Sequence, residues 1–132
     1  MPKIYLVTNK SFFTNFEESL ILQRLWNFIA QNQIIRIKGL LGSSLSFYCS
    51  TIIKKSLNPS LFVFNNKEES LYFLNDIETL NPEKKIFYFP ELSKESYSNK
   101  YPNNYNLLQR TEVIEHLNFS KNKNSIIVTH IN

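Results

Sequence analysis

The chain has 132 residues, 42% of them hydrophobic and 14% aromatic, which is enough for one domain with a real core and excludes a disordered segment. Its single cysteine, Cys49, excludes an internal disulfide and fits a reducing cytoplasm, and no apolar run of membrane length or secretory pattern is present. The net charge of +4 comes from lysines that do not cluster in a lysine- and asparagine-rich chain, so it reads as a solvated surface and compositional bias.

Residues 1 to 13 are ambiguous; Ile4-Tyr5-Leu6-Val7 fits a short strand or an early helical turn. Thr14-Asn15-Phe16-Glu17-Glu18 reads as a helix start, with a capping oxygen and acids in the first turn. Ile21, Leu25, Phe28 and Ile29 then share one face, with Trp26 on its flank, and the helix should fade near Gln31-Asn32.

Ile34 to Lys38 is predicted as the first strand, followed by a tight turn and a helix over Ser43 to Leu57 that Asn58-Pro59 stops. The turn holds the chain's only two glycines, Gly39 and Gly42. Glycine accepts backbone angles that other residues resist, so the pair marks a constrained joint. Set against the phosphate-loop pattern G-x-x-x-x-G-K-[ST], the stretch is a near miss. Gly39 fits the first glycine, Ser44 stands where the last glycine belongs, Leu45 replaces the lysine and Ser46 keeps the hydroxyl. A phosphate loop needs that ammonium to neutralise the terminal phosphates, and leucine cannot supply it. Three readings follow: a working nucleotide site, an ordinary strand-to-helix turn, and a nucleotide fold that has lost its nucleotide. The missing lysine disfavours the first. On the helix, Cys49 shares a face with Leu45, Tyr48 and Ile52 and reads as a buried, inert thiol.

Leu61-Phe62-Val63-Phe64 is an uninterrupted apolar strand, as in a parallel sheet covered on both faces. Asn66 caps the next helix, Glu68 and Glu69 fill its first turn, and Phe73, Leu74, Ile77 and Leu80 form its inner face up to Asn81-Pro82. Ile86-Phe87-Tyr88-Phe89 is a strand ended by Pro90. Glu91 to Asn104 is a long polar loop whose Tyr97 and Tyr101, with Tyr105 just beyond it, suit base stacking, although no arginine cluster accompanies them and a plain surface excursion explains them better. Asn106 to Leu117 is the last helix, with Leu107, Thr111, Ile114 and Leu117 as its stripe, and Ser125 to Thr129 is the last strand. Four strands separated by helices predict an α/β fold with a parallel sheet.

Catalytic sets are missing from this reading. The last strand ends in Thr129-His130 with no acid to hold magnesium, and Glu91, beyond Pro90, is the nearest candidate. His116 and His130 are isolated in sequence, no Cys/His set has metal spacing, and Ser43, Ser44 and Ser46 have no evident histidine or acid partner. Helix capping explains at least one of these serines.

The stretch from Ile35 through Ser44 resembles the opening of the bacterial transcription-repair coupling factors (Mfd), whose first domain is similar to that of the excinuclease subunit UvrB but has a decayed phosphate loop. The resemblance continues in order through Leu61–Phe64 with Lys67-Glu68-Glu69, Ile86–Phe89 with Pro90, Leu108-Gln109-Arg110-Thr111-Glu112-Val113-Ile114, and Ile126–Thr129. It covers residues 34 to 129; residues 1 to 33 match only as a leading helical region. It implies a degenerate P-loop (RecA/UvrB-like) α/β domain over 34–132 behind a helical region over 1–33. The sheet would have about four parallel strands, in a cytoplasmic, N-terminal fragment.

By that resemblance the parent engages UvrA, RNA polymerase and DNA with ATP through regions this chain lacks. The chain itself would be a non-catalytic scaffold needing no cofactor or metal and binding none of those partners strongly. Gly39, Gly42, Ser43, Ser44, Leu45 and Ser46 would form a loop that holds no nucleotide. The rival readings are a nucleotide-binding P-loop-like domain and a small basic nucleic-acid-binding module.

Overall fold

The computed structural model describes residues 16, 18–31, 34–92, 104–120 and 124–131. The chain divides into two compact units, Met1–Leu41 and Gly42–Asn132, so the boundary falls between the two glycines. The Ile4–Val7 stretch, the Thr14-Asn15 helix start and loop residues Tyr97 and Tyr101 lie outside the described residues.

In the first unit, helix α1 spans Leu20–Ala30. Ser19 caps it by accepting a hydrogen bond from the Leu22 backbone N–H at 3.4 Å, and it ends at Gln31 as its polar sequence predicts. Leu22 and Leu25 are buried, whereas Ile21 and Phe28 are exposed. The buried stripe is therefore displaced about one residue from the expected one. Apolar side chains on both flanks make either stripe legible in the sequence. Residues 34–40, expected to include a strand, have no regular secondary structure. Ile34 is fully exposed and Ile37 is exposed. Alternating isoleucines favour an extended chain, but only a ladder partner turns it into a strand, and no strand among the described residues pairs with it.

The second unit holds helix α2 (Ser44–Lys55), strand β1 (Ser60–Phe64), helix α3 (Lys67–Leu80), strand β2 (Ile86–Phe89), helix α4 (Asn104–Phe119) and strand β3 (Ile126–His130). The three strands form a parallel sheet in the order β1-β3-β2, one strand fewer than expected. Ser60 pairs with Ile126 and Phe64 with His130 on one side of β3; Ile86 pairs with Ile126 and Phe89 with Thr129 on the other. The chain passes over β3 on its way from β1 to β2, then returns. Two crossovers of one hand in opposite directions lay their helices on opposite faces.

The packing follows. On one face Phe73 and Ile77 of α3 and Cys49 and Ile53 of α2 meet Ile126 and Val128, with Phe62, Phe64, Ile86 and Tyr88 against them. On the other, Val113 of α4 meets Phe87, Ile127 and Phe89. Burial of Cys49 pushes its thiol up to about 12, so it stays protonated and inert as the sequence suggested.

Two expectations about burial are corrected. Leu61 and Val63 are exposed, so β1 is covered on one face only. On α4, Leu107, Ile114 and Leu117 are exposed while Val113 is buried. The helix carries apolar side chains around much of its circumference, and the side facing β2 is held by polar anchors. Arg110 donates to the Pro90 carbonyl at 2.8 Å and lies 4.0 Å over the Phe89 ring. Lys85 pairs with Glu112 at 2.8 Å, and the His116 ring lies 4.5 Å from that of Phe87.

Candidate functional site

Gly39 and Gly42 adopt φ of +82° and +53°, the left-handed region that favours glycine. A Cβ added at either would meet no atom of the described residues within 4 Å, so the backbone angle alone selects glycine. Ser43 is the N-cap of α2 without a side-chain cap bond, and Ser44 is the first residue of the helix. Leu45, at the lysine position, packs against the core cluster. Ser46 is 3% exposed and its hydroxyl donates to the Asp76 carboxylate of α3 at 2.9 Å. The side chains at the lysine and hydroxyl positions, Leu45 and Ser46, are thus turned toward the protein.

Gly42→Val is expected to cost roughly 1–3 kcal/mol, because a β-branched residue at positive φ is strained whatever space surrounds it. Gly42→Asn is expected to cost less, since asparagine visits this region. Thermal melts check it; a Gly42→Val melt equal to the parent's removes the turn as a constrained joint.

A second constellation lies at the carboxyl end of the sheet, where ligands bind in open α/β folds. It is a crevice of about 640 Å³ lined by residues of α3, β2, α4 and the end of β3. Its lining includes Lys67, Tyr88, Glu91, Gln109 and His130 and none of the six glycine-loop residues. The Tyr88 hydroxyl lies 3.0 Å from His130 Nδ1 and 3.4 Å from Ser70 Oγ. The two rings stack at 15° with centroids 6.1 Å apart. Ser70 spends its own proton on the Lys67 carbonyl at 2.6 Å.

His130, isolated in sequence, is therefore paired in space. Tyr88 and His130 sit on neighbouring strands two residues out of register with one another, a proximity set by strand order, which the sequence does not contain. The signal open to sequence reading was weaker: polar side chains at strand ends of a parallel sheet face the usual ligand side. Glu91, the candidate magnesium acid, lines the crevice, but no partner acid joins it there. Among the described residues no group of three or more His, Cys, Asp or Glu could hold a metal ion, and no helix is long and apolar enough to cross a membrane.

Compared with known proteins, the chain matches no family model, no curated protein and no solved structure.

Proposed function

We propose that this chain is the leading, non-catalytic scaffold module of a transcription-repair coupling factor, a UvrB-like domain whose phosphate loop has decayed. The observation that carries the reading is the fate of the loop: Leu45 is packed on the core and the Ser46 hydroxyl is committed to Asp76. A loop whose lysine has become a core residue and whose magnesium hydroxyl ties two helices together serves packing. The motif stretches support the same reading. Leu61–Phe64 lies in β1, Lys67-Glu68-Glu69 opens α3, Ile86–Phe89 is β2, Leu108–Ile114 lies within α4 and Ile126–Thr129 within β3. In this reading contacts to UvrA, RNA polymerase and DNA belong to other parts of the parent. The module stiffens the region beside them and needs neither ATP nor magnesium.

Two measurements test it. Calorimetric titration with magnesium-ATP is expected to give no saturable heat, and micromolar affinity overturns the scaffold reading in favour of a nucleotide site. Ser46→Ala is expected to lower stability by about 1–2 kcal/mol, the scale of a partly buried hydrogen bond to a carboxylate, equally with and without magnesium-ATP. Sequencing the gene beyond Asn132 tests the repair assignment itself. A continuing frame with translocase motifs is expected, and a continuing frame without them overturns it.

A further inference from the structure

We infer that the crevice at the carboxyl end of the sheet binds a small carboxylate with an apolar, ring-sized body. At about 640 Å³ it falls in the size range of small-molecule sites, and it combines an apolar wall with a few polar groups, as such sites do. Leu71, Leu74 and Pro90 form the wall. Leu71 remains 40% exposed, an apolar surface that a ligand body would cover.

The polar lining is richer in donors. Lys67 has only N–H groups to offer, and it forms no ion pair among the described residues. Gln109 offers an amide, one hydrogen of which reaches the Tyr105 hydroxyl at a long 3.4 Å. His130 is oriented by Tyr88. Because Ser70 donates to the Lys67 carbonyl, it cannot donate to Tyr88. When the Tyr88 hydroxyl donates to His130 Nδ1, the shorter of its two contacts at 3.0 Å, the histidine's own proton stands on Nε2 and that nitrogen is a donor.

Lysine, histidine and amide N–H groups beside an aliphatic wall suit a carboxylate whose charge meets Lys67 and whose body lies on Leu71 and Leu74. The opposing charge in the lining is the exposed Glu91. Its removal should tighten binding, as removal of Lys67 should weaken it. The site shares no residue with the glycine loop, so it stands or falls separately from the repair assignment.

The test is titration of benzoate into the full chain, followed by calorimetry and by NMR shifts of the crevice residues. Benzyl alcohol serves as the neutral isostere and acetate as the charge without the body. Saturable benzoate binding is expected, at least about tenfold tighter than either control, the factor that one charge-assisted hydrogen bond supplies. Lys67→Met should cost about tenfold, Lys67→Arg should retain most of the affinity, and Glu91→Gln should improve it several-fold. Lys67 and Glu91 are both exposed, and unchanged melting temperatures will show that the variants are folded. No saturable binding up to about 10 mM, equal affinity for benzoate and benzyl alcohol, or indifference to Lys67→Met would overturn the proposal.

Discussion

Phe73→Ala is expected to lose about 3–5 kcal/mol of stability, the range for removing a buried aromatic ring from a core that cannot collapse around the gap. Phe73 is 4% exposed and central to the α2–α3 face of the sheet. Its ring lies 4.9 Å from that of Phe62 at 46° and 4.8 Å from that of Phe64 at 44°. Such tilted pairs add about 0.5–1.5 kcal/mol beyond the area buried, and alanine forfeits both pairs. A domain of this size holds about 5–15 kcal/mol in all, so the variant should sit near or past the edge of folding. Urea denaturation of Phe73→Ala beside Leu61→Ala and Val63→Ala checks the assignment of faces. Leu61 and Val63 flank Phe62 on β1 but point to the uncovered side, so their removal should cost under about 1 kcal/mol. Equal losses from Leu61→Ala and Phe73→Ala would mean that β1 is covered on both faces. Because α3 also carries Lys67, Ser70 and Leu71, a folded but loosened Phe73→Ala chain should weaken benzoate binding as well.

The elements legible in sequence were those with two independent signals. Helix α3 has a capping asparagine, acids in the first turn, an inner face at helical spacing and a proline stop, and the Asn66 side chain does accept from the Glu69 N–H at 2.8 Å. Strands β1, β2 and β3 are short apolar runs bounded by turn residues, and all three form. Failures came where one signal stood alone. Ile34–Lys38 has strand-like residues but no ladder partner among the described residues, and β propensity reflects pairing and packing more than backbone preference. On α4, Leu107, Leu108, Val113, Ile114 and Leu117 surround the axis, so periodicity could not choose the inner face; the Arg110 anchor on Pro90 and Phe89 holds a different one. The two glycines were legible as a constrained turn, and both adopt positive φ, but that Ser46 bonds Asp76 was not, because the partner is 30 residues away on another helix. The crevice was invisible for the same reason: Lys67, Tyr88, Gln109 and His130 come from four elements and meet only once the strand order is known.

Asn81→Ala is expected to be the most damaging polar substitution, at about 2–4 kcal/mol, although Leu-Asn-Pro in sequence reads as nothing more than a helix stop. Asn81 is fully buried, and its side chain is satisfied on both sides. Its Oδ1 accepts the Ser50 hydroxyl of α2 at 3.0 Å, and its Nδ2 donates to the Ile77 carbonyl at 2.9 Å. Its backbone N–H donates to the same carbonyl at 3.0 Å, closing the end of α3. With the bond from Ser46, one turn earlier on α2, to Asp76 of α3, the Ser50–Asn81 bond fixes the register of α2 against α3 by polar contacts. Alanine opens a cavity the size of an amide and strips a buried hydroxyl of its acceptor, a penalty of about 1–3 kcal/mol by itself. The Ser50 hydroxyl can recover part of this by turning back to the carbonyl four residues earlier on its own helix. Asn81→Leu fills the space without restoring the bonds and should fall between alanine and the parent. The double-mutant cycle with Ser50→Ala isolates the pair, because removing both partners leaves no orphaned group between the helices. The double variant should be more stable than the sum of the single losses implies, by about 1 kcal/mol or more. Strict additivity in urea denaturation would mean that the seam is held by its apolar contacts alone.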